Sequence, residues 1–241
     1  MAADWMTPLP VRRVVRASDS TLATTAWPAT LAPVAYVLER GLDLGPATVL
    51  VGENGTGKST LVEAIAIAYG LSPEGGSTGA MHSTRRTESD LAGHLSLVRG
   101  AGASRWGYFL RAETMHGLFS YLQDTLHEDF HRFSHGEAFL AMITSRRFDG
   151  DGFFVLDEPE SGLSFTGQLT LLGALSSMLA AGRTQVLLAT HSPVLASLPG
   201  ARLLELDEDG IHERAWAALP VVDHYRRFLD SPERYLRHLV D

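Results

Sequence analysis

Apolar and polar positions divide this 241-residue chain into short buried runs and amphipathic stretches. Val11 to Ala17 reads as a β-strand with arginines among its valines. Thr21 to Pro33 is irregular, broken by Pro28 and Pro33, and Val34 to Arg40 predicts a short helix stopped by Gly41. Ala47 to Val51 is apolar without alternation, as in a strand covered on both faces. A glycine-rich turn follows at once, then an apolar helix from Lys58 to about Tyr69. Ser72 to Gly79 reads as loop, Glu88 to Arg99 as helix or strand, and Trp106 to Ala112 as a strand. Leu118 to Phe133 predicts an amphipathic helix, and Glu137 to Arg147 a second after a Ser-His-Gly break. Phe153 to Leu156 and Gln185 to Ala189 are buried strands either side of a helix, Thr166 to Ala180. Ala201 to Leu206 is a further strand, and Val222 to Val240 is mostly helical.

Strands and helices alternate at both ends of the chain, which predicts an α/β core with parallel strand pairs. There is no internal repeat and no long linker. The expectation is one domain, 1–241, with a core lobe over about 1–70 and 150–215. A helical lobe would span about 71–149 and a helical tail about 216–241.

Composition narrows the class. The hydrophobic fraction of 45% and charged fraction of 20% suit a globular protein with a sizeable core. No apolar run is long enough for a bilayer, and Met1 to Pro10 lacks a signal-peptide pattern. The absence of cysteine excludes disulfides and cysteine-held zinc or iron–sulfur sites. A cytoplasmic protein is expected. A net charge of −8 disfavours broad binding to a nucleic-acid backbone, although a local basic strip could form from Arg85-Arg86, Arg146-Arg147 or Arg226-Arg227. Solvated faces are the default reading of those pairs.

Of 20 basic side chains, 19 are arginine and one is lysine, Lys58. It ends the run Gly52-Glu53-Asn54-Gly55-Thr56-Gly57-Lys58-Ser59, a complete G-x-x-x-x-G-K-[ST] phosphate loop between a strand and a helix. Such a loop cradles phosphates with backbone N–H groups and a helix N-terminus. A slim ammonium reaches between the β- and γ-phosphates where a planar guanidinium is too wide. Gly52 to Thr60 are therefore the nucleotide-binding candidates, with Ser59 placed to ligate Mg²⁺.

Three further runs carry chemistry. Phe153-Phe154-Val155-Leu156-Asp157-Glu158-Pro159 ends a buried strand in two carboxylates, at the sheet edge where α/β proteins bind ligands. Asp157 would hold Mg²⁺ through water, and Glu158 would act as general base toward a water. Leu187-Leu188-Ala189-Thr190-His191-Ser192-Pro193 puts His191 just past a strand, within reach of a γ-phosphate. Phe133-Ser134-His135-Gly136-Glu137 opens a predicted helix, a geometry that also suits an anion.

In order, these landmarks resemble the ABC-type ATPases: phosphate loop, signature at Ser134 to Glu137, Asp-Glu pair, Ser161-Gly162-Leu163-Ser164 in the place of a D-loop, and switch histidine. More closely, the chain is similar to small soluble ATPases of AAA/SMC-RecF-like type carrying V-G-E-N-G-x-G-K-S-T, S-H-G-E, L-D-E-P-E, A-T-H-S-P and a terminal P-E-R-Y-L, here Pro232 to Leu236. The resemblance implies a P-loop NTPase fold of ABC type, with a RecA-like sheet core and a small helical lobe. It implies ATP hydrolysis with Mg²⁺ in an ATP-dependent homodimer, where one subunit's Ser134, Gly136 and Glu137 close over the γ-phosphate held by the other. The signature departs from the transporter pattern at His135 and Glu137, and no Q-loop glutamine is evident. Glu113, after the strand Tyr108 to Ala112, is the candidate for that position and for the Mg²⁺ shell. For adenine, Trp27 and Tyr36 are candidate aromatics, with core packing as their default role. A guanine-reading Asn-Lys-x-Asp motif is absent.

Two other function classes compete. The chain could be a nucleotide-gated module for a DNA-repair or defence effector, or a transporter's nucleotide-binding subunit, which the altered signature disfavours. His127-Glu128-Asp129-Phe130-His131 matches H-E-x-x-H, the helical zinc site of metallopeptidases. Against zinc, His135 is wrongly spaced for the extended motif, and Phe130 and Phe133 read as the core face of their helix.

Overall fold

The structure, a computed structural model, describes residues 8–78, 89–111, 151–182 and 184–237. In chain order the strands are β1 (Arg13–Arg16), β2 (Leu42–Asp43), β3 (Ala47–Gly52), β4 (Gly76–Ser77), β5 (Leu95–Val98), β6 (Gly107–Arg111), β7 (Gly152–Asp157), β8 (Thr184–Thr190), β9 (Arg202–Asp207) and β10 (Gly210–Glu213). The helices are α1 (Ala32–Arg40), α2 (Lys58–Tyr69), α3 (Phe165–Ala180), α4 (Pro220–Asp230) and α5 (Pro232–Leu236).

Seven strands form one sheet in the order β10-β9-β3-β8-β7-β6-β4. The inner five are mutually parallel, and β10 and β4 close the edges antiparallel. Every residue of β7 and β8 is buried, which is why their sequences carry no alternation. Successive residues still face opposite sides. Leu50, Phe153 and Val155 pack with α2, while Val49, Val51, Phe154 and Leu156 pack with α3 and α4. A small antiparallel sheet, β2-β1-β5, lies against α2. The buried amide of Gln185 ties it to the main sheet, accepting from the Val11 N–H (2.8 Å) and donating to the carbonyls of Val11 (2.6 Å) and Gly45 (2.9 Å).

The structure departs from the sequence expectation in three places. Pro33 opens α1 rather than ending the loop before it, and Pro220 opens α4. Proline suits the first turn because its fixed φ is helical and no N–H partner is needed there. Ser231 divides the tail into two helices, because Pro232 disfavours helical backbone in the residue before it. Residues 95–98 and 107–111 fall within the span expected as a helical lobe but are β5 and β6 of the two sheets, β6 being the strand expected at Trp106 to Ala112. The helices expected at Leu118 to Phe133 and Glu137 to Arg147 lie outside the described residues.

Candidate functional site

The C-terminal ends of the parallel strands are level: Arg111 stands beside Asp157, Asp157 beside Ala189, and Val51 beside Thr190. The described residues that directly follow β3, β7 and β8 gather at one edge of the sheet. The phosphate loop starts at Gly52, where a Cβ would lie 2.4 Å from the Leu206 carbonyl oxygen, so only glycine lets β3 and β9 pass this closely. It ends at Gly57, whose φ of 93° is left-handed and whose carbonyl accepts the first helical bond of α2, from the Leu61 N–H at 3.0 Å. No side chain caps α2, so its first-turn N–H groups face the loop.

Lys58 is only 3% exposed, and its Nζ donates to the Glu53 carbonyl at 2.8 Å. Thr56 Oγ1 donates to the same oxygen at 2.9 Å. Burial pushes the Lys58 ammonium below its ordinary pKa, and the carboxylates of Glu158, Asp157 and Glu160 pull it part of the way back. Glu53, Asn54 and Gly55 are exposed at the tip of the loop. Ser59 Oγ donates to Asp157 Oδ1 at 3.1 Å. Thr60 lies beside Ser59 on α2 and lines a cavity of about 50 Å³ with Trp27, Glu63 and Arg111.

Glu158 follows Asp157 with φ 49°, a left-handed conformation unusual outside glycine. Its N–H donates to the Ala189 carbonyl at 3.0 Å, which continues the β7–β8 ladder and turns the side chain along the sheet edge. There Oε1 lies 3.1 Å from His191 Nε2. Glu160 completes the turn: Oε1 accepts the N–H groups of His191 (2.5 Å) and Ser192 (3.2 Å). The fold thus brings Lys58, Ser59, Asp157, Glu158 and His191 together.

Three residues at this edge escaped the sequence reading. Arg111 Nη1 pairs with Glu63 Oε2 at 2.7 Å, and its Nε lies 3.5 Å from Asp157 Oδ2. An arginine closing an apolar strand was the available signal for Arg111; nothing marked Glu63 on its helix. Glu160 was passed over as part of a motif. Ser164, in the run likened to a D-loop, caps α3, its Oγ accepting from the Gly167 N–H at 3.1 Å. Glu113, Ser134, Gly136 and Glu137 lie outside the described residues, as do His127, Glu128 and His131. Among the described residues no group of three or more His, Asp or Glu could hold a metal, and no helix is long and apolar enough to cross a membrane.

A family model described as "AAA domain, putative AbiEii toxin, Type IV TA system" matches residues 47–143 and 130–197, more than half of the chain. The chain belongs to this family. Its AAA domain places it among the P-loop, nucleotide-binding ATPases. Among curated proteins none matches in sequence. Solved structures of similar shape include a "putative metal-chelate type ABC transporter" in an inward-facing conformation (16% identity, TM-score 0.44, covering 75% of this chain and 76% of that one). Another is the SMC head domain from Thermotoga maritima (14%, 0.43, covering 72% and 92%). A third is a bacterial ABC transporter cassette in dimeric form (14%, 0.41, covering 74% and 90%).

Proposed function

We propose that this AAA-domain protein binds and hydrolyses ATP with Mg²⁺, and that two chains sandwich the nucleotide. The observation that carries this reading is the 3.1 Å pair of Glu158 and His191, beside a buried Lys58 at the mouth of a complete phosphate loop.

The chemistry follows from the placement of each group. Loop N–H groups and Lys58 bind the β- and γ-phosphates, and burial strengthens that attraction. Ser59 Oγ and Asp157 Oδ1, 3.1 Å apart, are hard oxygen donors of the kind Mg²⁺ accepts alongside phosphate oxygens, so the donor set fits that ion. When bound, it would neutralise phosphate charge. Glu158 takes a proton from a water aimed at the γ-phosphorus. The new P–O bond forms as the bond to the β–γ bridging oxygen breaks, leaving ADP and phosphate. His191 orients that water or the γ-phosphate, and Glu160 holds the His191 backbone. Glu113 is assigned to the Mg²⁺ shell. Ser134, Gly136 and Glu137 of a second copy would cover the γ-phosphate, because a half-built wet site stabilises the transition state poorly.

The test is the solution mass of Glu158→Gln with and without Mg-ATP, beside phosphate release by the wild type. A mutant that goes from monomer to dimer with ATP, while the wild type turns over, supports the sandwich. A mutant that stays monomeric and an inert wild type overturn it.

A second reading is a slow nucleotide-gated switch for a protein effector. It is favoured by the family description, which names a toxin–antitoxin system. ATP-dependent dimerisation of the wild type with negligible phosphate release would select it.

A further inference from the structure

Between the phosphate loop and helix α4 lies a cavity of about 1040 Å³. It is lined by the loop, Gly52 to Thr56, and by Val221, His224 and Tyr225 of α4. We propose that the purine base of the bound nucleotide stacks here, against His224 and Tyr225. This rests on the nucleotide-binding reading and assigns the base end of the same site.

The direction of the ligand is fixed by the loop. Lys58, Glu158 and His191 mark the γ-phosphate end; His191 also lines the large cavity, so the nucleoside extends along that cavity away from His191. On the β6–β7 side, Glu63, Arg111 and Asp157 fill the space, and the cavity there is about 50 Å³, enough for water and too small for a purine. On the β9 side the loop opens directly into the large cavity, which is of a size to hold a nucleoside.

The wall is built for an aromatic ligand. Val221, His224 and Tyr225 stand at i, i+3 and i+4, so they share one face of α4. Val222 and Leu219, both buried, seat the helix on the core. Tyr225 is 54% exposed, an aromatic face next to a phosphate loop. His224 is braced from behind: its Nδ1 lies 3.3 Å from the Tyr235 hydroxyl, and the Tyr235 ring meets it and Phe228 edge-on at 6.3 and 5.8 Å. The terminal Pro-Glu-Arg-Tyr-Leu run thereby acquires a role, to hold the base-stacking wall. Two of the acidic groups that line the cavity, Glu205 and Asp207, already have partners, while Glu208 is exposed there. Glu205 pairs with Arg214 at 2.9 Å, and Asp207 accepts the N–H groups of Asp209 and Gly210. The sequence-level candidates do not reach this cavity: Trp27 lines the small one, and Tyr36 packs under Arg40 and beside Gly210.

Calorimetry of the full chain with ATP and with inorganic tripolyphosphate tests the assignment. The wild type is expected to bind ATP more tightly than tripolyphosphate. Tyr225→Ala should weaken ATP roughly 10-fold or more, from the loss of one stacked base, and leave tripolyphosphate unchanged. Tyr225→Phe should restore ATP binding, and Lys58→Ala should weaken both ligands. Photolabelling of the wild type with 8-azido-ATP gives a readout that needs no variant, with the label expected between Pro220 and Asp230. ATP binding unchanged in both Tyr225→Ala and His224→Ala, or a label elsewhere, overturns the base assignment alone. A wild type that binds neither ligand overturns the nucleotide reading itself.

Discussion

Oε1 of Glu158 and Nε2 of His191 lie 3.1 Å apart, joining the ends of adjacent strands β7 and β8. The contact is fixed twice over by backbone. The Glu158 N–H is held by the Ala189 carbonyl, and the His191 N–H by the Glu160 carboxylate. Neither side chain depends on a long flexible stem to find the other.

His191→Ala is therefore expected to slow phosphate release roughly 10- to 100-fold, the worth of one hydrogen bond to a charged group, with ATP affinity little changed. Glu158→Gln should cost more, roughly 10²- to 10⁴-fold, because proton abstraction itself is lost. Steady-state turnover beside equilibrium ATP binding separates the two effects. A His191→Ala enzyme with wild-type turnover would remove the histidine from the reaction.

Glu160→Ala should lower stability by about 2 kcal/mol, since one carboxylate oxygen serves two N–H groups. Glu160→Gln keeps an acceptor oxygen and should recover most of that loss. Denaturant unfolding of the three proteins measures it, and equal loss in both variants would show that charge, not acceptance, holds the turn after β8.

The legible parts of this protein are those whose cause is local in sequence. The phosphate loop, α2, β3, β7 and β8 announce themselves through unbroken apolar runs and a glycine pattern that only one backbone path satisfies. Asp157, Glu158 and His191 follow because each ends such a strand. What stayed hidden depends on pairs far apart in the chain. Arg111 meets Glu63 across 48 residues, and Gln185 meets Val11 across 174. Leu95 to Val98 could not be told from helix, because four residues carry too little period and the strand exists by pairing with β1. The wall formed by Tyr225 faces a loop encoded far upstream, and no local pattern connects the two.

Arg111 carries a second stability prediction. Arg111→Met leaves Glu63 and Asp157 without their shared guanidinium and should destabilise by about 2 kcal/mol. Adding Glu63→Leu should restore part of the loss, as expected for residues in direct contact. A double mutant whose loss equals the sum of the two singles would show that the 2.7 Å pair is not energetically coupled.

Lys58 shows the cost of holding a cation ready for phosphate. Burial lowers its pKa from 10.5, so the folded chain disfavours the charged form. Between the lowered folded value and 10.5 the unfolded chain binds more protons, and stability therefore rises with pH across that window. Below that window the full penalty applies. Lys58→Met, similar in shape and uncharged, is expected to melt at the same temperature as the wild type or higher when no nucleotide is present. The gap should narrow as pH climbs through the window. With ATP at about 100 times its Kd the order reverses, because ligand binding stabilises the wild type by about 2.7 kcal/mol and leaves the variant unmoved. Thermal melts at pH 7 and pH 10, with and without Mg-ATP, test all three statements. A Lys58→Met protein that is less stable than wild type without nucleotide would mean that the Nζ–Glu53 hydrogen bond outweighs desolvation, and that the loop is held by its lysine rather than strained by it.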